Sequence, residues 1–300
     1  MRDAFIDELI IAAKSNEKIV LIVGDLGFGT IEPFVERFPD RFINAGVAEQ
    51  NMMGVAAGLA SEGCHVFVYS IANFPTFRCA EQIRNDIAYH NFPVTIVAVG
   101  GGLAYGNLGY SHHAVQDFAL MRVMPNMLIA APGDPMEVRG CMRYIVNNPQ
   151  PCYLRLGKSG EACVHSKVPE IAPGEWVNIR NGKQGGGTYL TTGTALGLVN
   201  ELLESNADLE NWSLNSLPLW SMNTKKEQPE KLKYFSATHT VEDHLIDGGF
   251  GSWLLEAASA HRQLLTRIRI KSLDAKVCGM VGKQPCLNRE GGLSLEGLCE

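Results

Sequence analysis

Between residues 17 and 157 the chain alternates short apolar runs with stretches of helical periodicity, and this alternation restricts the fold most. KIVLIVGDL, CHVFVYSI, FPVTIVAVGG and NMLIAAPG are rich in β-branched residues, as strands buried on both faces of a parallel sheet are. PCYLRLGK (151–158) predicts one more strand. The stretches between the runs predict helices at 49–62, 77–90, 115–123 and 134–147. The pattern therefore predicts an α/β fold, with a parallel sheet covered by helices on both faces.

A second region begins after a segment that is rich in proline and glycine and lacks periodicity, which predicts a linker at 166–185. GTYLTTGTALGLVNELLES then indicates a strand, a turn and a helix. NWSLNSLPLW, YFSATHTVEDH and LTRIRIKSL continue the strand pattern, with a helix at 249–261. We predict two domains, at 1–165 and 186–300, of which the second is a smaller α/β unit.

Composition and charge exclude several classes of protein. The net charge is −6 and no basic cluster occurs, so nothing favours a nucleic-acid or membrane surface. The N-terminal MRDAFIDELIIAAKSNEK predicts an amphipathic helix rather than a signal peptide, and no apolar run reaches the length of a membrane span. The eight cysteines form no CxxC pair and no Cys/His cluster, so we expect buried free thiols, a cytoplasmic location and no metal site.

Two glycine-rich segments, GDLGFG (24–29) and GGGLAYGNLG (100–109), follow predicted strands. Neither has the spacing of a dinucleotide-binding or P-loop motif, so tight turns at strand ends explain them better. The segment RFINAGVAEQNMMGVAAGLASEG (41–63) is more specific. It predicts a strand and then an apolar, packed helix that begins near Glu49. Taken alone, Glu49 is either a partner of the helix dipole or a functional acid.

Five segments, taken in order, resemble the pyrimidine-binding and C-terminal domains of transketolases and 1-deoxyxylulose-5-phosphate synthases. They are FPDRFINAGVAEQNMMGVAAGLA (38–60), FRCAEQIRNDIAY (77–89), GYSHHAVQDFALMRVMPNM (109–127), APGDPMEV (131–138) and TVEDHLIDGGFGSWLLEA (240–257). The chain is thus identified as similar to the C-terminal half of a transketolase. The resemblance implies a thiamine-diphosphate-binding fold and transfer of a two-carbon ketol unit between sugars.

The resemblance also implies a partner. In the family, a G-D-G...N motif in the other half binds the diphosphate and a divalent metal, and this sequence lacks it. We therefore expect a separate N-terminal transketolase subunit that holds Mg²⁺ (or Ca²⁺), and an α2β2 heterotetramer. The alternatives are a β-subunit of a 2-oxo-acid dehydrogenase, which shares the two-domain layout, and a non-catalytic regulatory subunit.

The same resemblance assigns catalytic and substrate-binding residues. Glu49 matches the glutamate that touches N1′ of the cofactor's aminopyrimidine ring. His112 matches a histidine that faces the reacting carbon and the substrate oxygens, and His113 is the neighbouring alternative. Transketolases usually have an aspartate four residues before this histidine, where this chain has Leu108, with Asn107 beside it. This departure predicts a specialised sugar or sugar phosphate.

Further candidates lie around these residues. Phe74 is near the position of the aromatic residue that packs on the aminopyrimidine, with Phe77 or Tyr69 as alternatives. Arg78 and Gln82 would share one helix face and support the cofactor site. Arg155 and Lys158 close a predicted strand where related enzymes bind the sugar phosphate, although exposed strand-end cations would look the same.

Overall fold

The computed structural model describes residues 1–299. The strands are β1 Ile19–Val23, β2 Phe42–Asn44, β3 His65–Ile71, β4 Val94–Val99, β5 Leu128–Ala130, β6 Cys152–Leu156, β7 Val177–Arg180, β8 Thr188–Thr191, β9 Ser213–Ser216, β10 Leu219–Trp220, β11 Thr238–Leu245 and β12 Ile268–Leu273. The helices are α1 Arg2–Ser15, α2 Glu32–Arg37, α3 Glu49–Ser61, α4 Asn73–Phe77, α5 Ala80–Gln82, α6 Asp117–Arg122, α7 Pro135–Asn147, α8 Ala195–Ser205, α9 Gln228–Leu232, α10 Phe250–Ala258, α11 Arg262–Leu265, α12 Gln284–Glu290 and α13 Leu295–Cys299.

The first sheet has the strand order β10-β5-β6-β4-β3-β1-β2, and every neighbouring pair except β10 with β5 is parallel. Its central strands are buried along their whole length. One face packs on α3 through Met52, Met53 and Ala56, and the opposite face packs on α1 and α7. This arrangement confirms the predicted α/β fold with helices on both faces.

The second sheet has the order β12-β11-β8-β9-β7 and is parallel except for β7, which pairs antiparallel with β9. It confirms a second α/β unit. However, β7 lies inside 166–185, the predicted linker, so the sequence analysis missed this strand. The domain limits themselves stay a prediction.

The run NWSLNSLPLW, predicted as one strand of the second domain, is divided between the two sheets. Ser213–Ser216 forms β9, whereas Leu219 and Trp220 form β10 and pair with Ala130 and Ile129 of β5 in the first sheet. Trp220 also packs against Phe118 and Trp253. The chain therefore returns to the first sheet after it has begun the second one.

Two smaller expectations also need correction. The predicted helix 77–90 is broken, because α4 ends at Phe77 and α5 begins at Ala80, followed by a π-helical segment at Ile83–Ala88. The eight cysteines are all unpaired, as expected, but Cys163, Cys286 and Cys299 are exposed rather than buried. Every helix within residues 1–299 is too short or too polar to cross a membrane.

Candidate active site

The candidate site begins at the connection between β2 and α3. Gly46 turns the backbone with a φ of 72°, and α3 starts at Glu49 without a side-chain cap from Ala48. The Glu49 side chain is only 4% exposed, although it stands at a helix terminus. It lines a pocket of about 420 Å³ formed by residues 47–51 and Arg78. An acid in this position is desolvated and still open to a ligand.

Arg78 is the ionic partner of this acid. Its Nη1 donates to Oε2 of Glu49 at 3.0 Å, and its Cζ lies 4.2 Å from the centre of the Phe74 ring. The other carboxylate oxygen, Oε1, accepts no hydrogen bond from residues 1–299. Because the arginine side chain is 49% exposed, solvent screens the pair and its contribution to stability is small. The contact orients the carboxyl group and leaves one oxygen available.

A second pocket, of about 350 Å³, shares Arg78 with the first. Phe74, Phe77 and Tyr110 give it apolar walls, and Asn73, Ser111 and Gln116 supply polar groups. Phe74 and Phe77 thus both lie beside Arg78. Tyr69 does not, because it is 1% exposed and stacks on Phe5 in the core, where burial raises the pKa of its hydroxyl to about 12.

The loop with the two histidines lies against α4. Asn73 Nδ2 donates to the carbonyl oxygen of Ser111 at 3.1 Å, and the His112 ring meets the Phe74 ring edge-on with centroids 5.1 Å apart. Burial, and then the nearby positive charges of Arg78 and His113, lower the pKa of His112. The imidazole is therefore neutral near pH 7, with Nδ1 3.0 Å from Ser111 Oγ.

His113 occupies a different environment. It is 1% exposed, and its Nε2 lies 3.5 Å from the carbonyl oxygen of Gly106. Of the two adjacent histidines, the structure places His112 beside Phe74 and buries His113 beneath the loop. Asn107 and Leu108 are exposed on the short 3₁₀ turn that precedes them.

The remaining candidates, Lys158, Gln82 and Arg155, line neither of the two pockets. Lys158 Nζ lies 5.0 Å from the centre of the Tyr105 ring, which in turn lies 6.4 Å from the His112 ring. Gln82 does not share a helix with Arg78, because the chain is interrupted between them, and it lines neither pocket.

The structure contradicts the predicted phosphate-binding role of Arg155. This side chain is 2% exposed, and its three nitrogen atoms all donate to acceptors within the protein, in Asp117, Asp243 and Ala114. It lines neither of the two pockets around Arg78. The sequence analysis also passed over Asn73, which directly precedes Phe74, and Tyr105, which stands in GGGLAYGNLG, because neither belongs to a motif that we recognised.

The chain is similar to several known proteins. Residues 1–160 match the family model of the transketolase pyrimidine binding domain. A chain assigned as a transketolase C-terminal section in Methanocaldococcus jannaschii is 34% identical, and the match covers all of this chain and 94% of that one. One subunit of the apulose-4-phosphate transketolase of Phocaeicola vulgatus is 31% identical, with 100% and 95% coverage. A split gene transketolase solved as an inactive β4 tetramer superposes with a TM-score of 0.85 at 31% identity, covering 99% of this chain and 94% of that one.

The fold and the site define an α/β protein with a desolvated acid at the edge of a parallel sheet. The chain belongs to the transketolase family. It corresponds, over its full described length, to the C-terminal subunit of a split transketolase, and so to one part of a two-subunit transferase of ketol units.

Proposed function

We propose that this chain forms the aminopyrimidine side of a thiamine diphosphate site shared with a separate N-terminal transketolase subunit. The observation that carries the proposal is the nearly buried Glu49 carboxyl, which faces a pocket and has one free oxygen. Next to it, Phe74 and Phe77 offer apolar ring faces. A carboxyl and aromatic faces fit a flat, basic ring, because the acid can share a proton with a ring nitrogen while the aromatics pack on the ring.

Each residue of the chain then has a distinct task. Glu49 exchanges a proton with the ring nitrogen through its free carboxyl oxygen, and Arg78 keeps that carboxyl in place. Bound thiamine diphosphate supplies a carbon nucleophile and an electron sink for the two-carbon ketol unit. His112, neutral near pH 7, exchanges protons with substrate oxygens. The reaction is transfer of the ketol unit from a ketose to an aldose.

The partner would hold the diphosphate and Mg²⁺ (or Ca²⁺), and the simplest closed assembly is an α2β2 heterotetramer. Two comparisons support this part of the proposal: one relative is named as a single subunit of its transketolase, and the solved relative is an inactive β4 tetramer. The eight unpaired cysteines support a reducing compartment, the cytoplasm.

The test is reconstitution. The purified chain alone should bind thiamine diphosphate weakly by calorimetry and transfer no ketol unit. Addition of the partner should produce both tight cofactor binding and ketol transfer. The complex should not oxidise pyruvate when an artificial electron acceptor is supplied. Micromolar cofactor binding by the isolated chain would contradict the shared site, and pyruvate turnover would favour a 2-oxo-acid dehydrogenase.

We further propose a specialised donor sugar. Leu108 and Asn107 are exposed on the turn before His112, where an aspartate of transketolases would contact a donor hydroxyl. The name of the relative that acts on apulose 4-phosphate supports a donor outside the common sugar phosphates. The reconstituted enzyme should therefore use xylulose 5-phosphate poorly. A kcat/KM for this sugar within the usual enzyme range of about 10⁴–10⁸ M⁻¹s⁻¹ would reject this part.

A further inference from the structure

Arg155 connects the two sheets through a buried polar network. It lies on β6 of the first sheet, and its Nε donates to Oδ2 of Asp117 at 2.7 Å. Its Nη1 donates at 2.5 Å to Oδ1 of Asp243, which lies on β11 of the second sheet. Asp243 is oriented in turn by Thr194, whose hydroxyl donates to Oδ2 at 2.8 Å. A guanidinium buried in this way has a defined geometry, because each of its three nitrogens donates to an acceptor within the protein.

The same guanidinium holds the end of the histidine loop. Its Nη2 donates to the carbonyl oxygen of Ala114 at 2.8 Å, one residue after His113. Ala114 also forms a backbone bridge with Gly102, with N–O distances of 2.8 and 2.9 Å. A side chain at Gly101 would lie 2.6 Å from Arg155 Cζ, so only glycine allows this close approach. The other side of the loop is held by Asn73 through Ser111.

We propose that Arg155 and Asp243 are positioning residues for His112, so that the second α/β unit fixes the active-site loop. Asp243 sets the direction of the guanidinium, the guanidinium fixes the Ala114 carbonyl, and the loop that ends there carries His112. This inference rests on the proposed function, in which His112 faces the substrate. The second sheet contributes no residue to either pocket around Arg78. In this proposal it supports the reaction by fixing the position of His112.

The chemistry of the network explains why an arginine is used. A guanidinium presents donors in several directions of one plane and can bond two carboxylates and a carbonyl at once. A lysine retains the positive charge but cannot reach Asp117, Asp243 and Ala114 from one nitrogen. Arg155→Lys therefore removes the guanidinium's hydrogen bond to Ala114, leaves the backbone bridge with Gly102 in place, and keeps the charge of the buried cluster unchanged. Asp243→Asn is a second variant, which retains a hydrogen-bond acceptor and leaves Arg155 balanced by Asp117.

The first readout uses the full chain and needs neither partner nor cofactor. We would measure the pKa of the His112 imidazole by NMR, with the signal assigned through His112→Gln. Arg78, His113 and the Phe74 and Tyr105 rings surround this group, and burial with the two cations lowers its pKa. In both variants a loosened loop should let water reach His112 and raise its pKa towards the ordinary value of about 6.5. Loss of the negative charge of Asp243 would by itself lower the pKa of His112, so a higher pKa in Asp243→Asn would indicate that the histidine loop has loosened.

The second readout is kcat in the reconstituted two-subunit enzyme. Misplacement of a reacting group by about 1 Å can cost about 100-fold, so Arg155→Lys should lower kcat by a factor of that order. Asp243→Asn should lower it less, and Asp247→Asn, an exposed control on the following turn, should not change it. Wild-type His112 titration and wild-type kcat in both folded variants would overturn the proposal. If the wild-type complex itself transferred no ketol unit, the proposed function would fail, and the NMR comparison would still decide whether the network positions the loop.

Discussion

The molecule contains two arginine–carboxylate groups that differ in how completely their polar atoms are bonded. Around Arg155 the guanidinium makes hydrogen bonds at all three nitrogens and is 2% exposed. Between Glu49 and Arg78 there is one bond of 3.0 Å, the arginine is 49% exposed, and the acid lines a pocket. Buried polar groups are normally matched within the fold, so a nearly buried acid that has a free oxygen and also lines a pocket indicates a ligand site. The Arg155 guanidinium bonds through all three nitrogens and lines neither pocket around Arg78, which indicates a structural and positioning role, although Asp117 Oδ1 has no hydrogen-bond partner within residues 1–299.

The sharpest way to break this comparison is Glu49→Gln, which we expect to have the largest effect. The amide retains the shape and a hydrogen bond with Arg78 but cannot relay a proton. General acid–base assistance is worth about 10²–10⁴ in rate, so ketol transfer should fall by at least the lower factor. The melting temperature should hardly change. Exchange of the cofactor's C2 proton for deuterium, followed by NMR on the reconstituted complex, isolates the step. Exchange at the wild-type rate would mean that Glu49 is only a helix cap.

Removal of each arginine tests the other side of the comparison. Arg155→Met leaves Asp117 and Asp243 buried without their cation, which should cost about 3–5 kcal/mol in the free energy of unfolding. Arg78→Met removes a screened pair and should cost less than about 1 kcal/mol. Urea unfolding of the two variants gives both values under the same conditions. An equal loss of unfolding free energy in the two variants would show that the ion pairs of Arg155 and Arg78 do not differ in their contribution to stability.

The carboxyl group of Glu137 extends the comparison, because it is buried and only one of its two oxygens accepts a hydrogen bond. Its Oε2 accepts from the Gly133 backbone at 2.6 Å, whereas Oε1 has no partner within residues 1–299 and lies 3.8 Å from His165 Nε2. Burial raises the pKa of Glu137 to about 7. The folded state therefore binds this proton more tightly than the unfolded chain, and stability falls as the pH rises from about 4.5 to about 7.

Glu137→Gln should abolish this part of the pH dependence. Relative to the wild type, the variant should gain stability across that window, by on the order of 3 kcal/mol at pH 8, since one pKa unit corresponds to about 1.4 kcal/mol. Unfolding by urea at pH 5 and pH 8 provides the measurement, and Glu201→Gln on the exposed face of α8 is the matched control. An equal difference between variant and wild type at both pH values would contradict the shifted pKa.

The sequence predicted those features that depend on local pattern. The apolar runs became β1, β3, β4, β5 and β6 because strands buried on both faces must be continuously apolar. Glu49 was singled out because its segment resembles a known family, since an acid in the first turn of a helix is by itself an ordinary partner of the helix dipole. The strands β7 and β10 were missed or misplaced, since their short sequences carry no strong period and only tertiary pairing decides which sheet they join.

Arg155 was assigned incorrectly for a related reason. Arginine is rarely buried, so an arginine near the end of a strand is expected to face solvent. Whether its partners lie inside the protein depends on Asp117 and Asp243, which are 38 and 88 residues away in the chain. Such separations cannot be read from local sequence. The pairing of Asn73 with the histidine loop, across 38 residues, was hidden in the same way.

The position of β10 has a consequence for how such a chain can be divided. Because Leu219 and Trp220 return to pair with β5, a protease cut in the glycine-rich segment 182–187 would nick the backbone without releasing either part. A truncated protein that ended at residue 165 would expose the edge of β5 and tend to aggregate through it. Division of the gene within this chain would therefore separate two α/β units that are linked by strand β10.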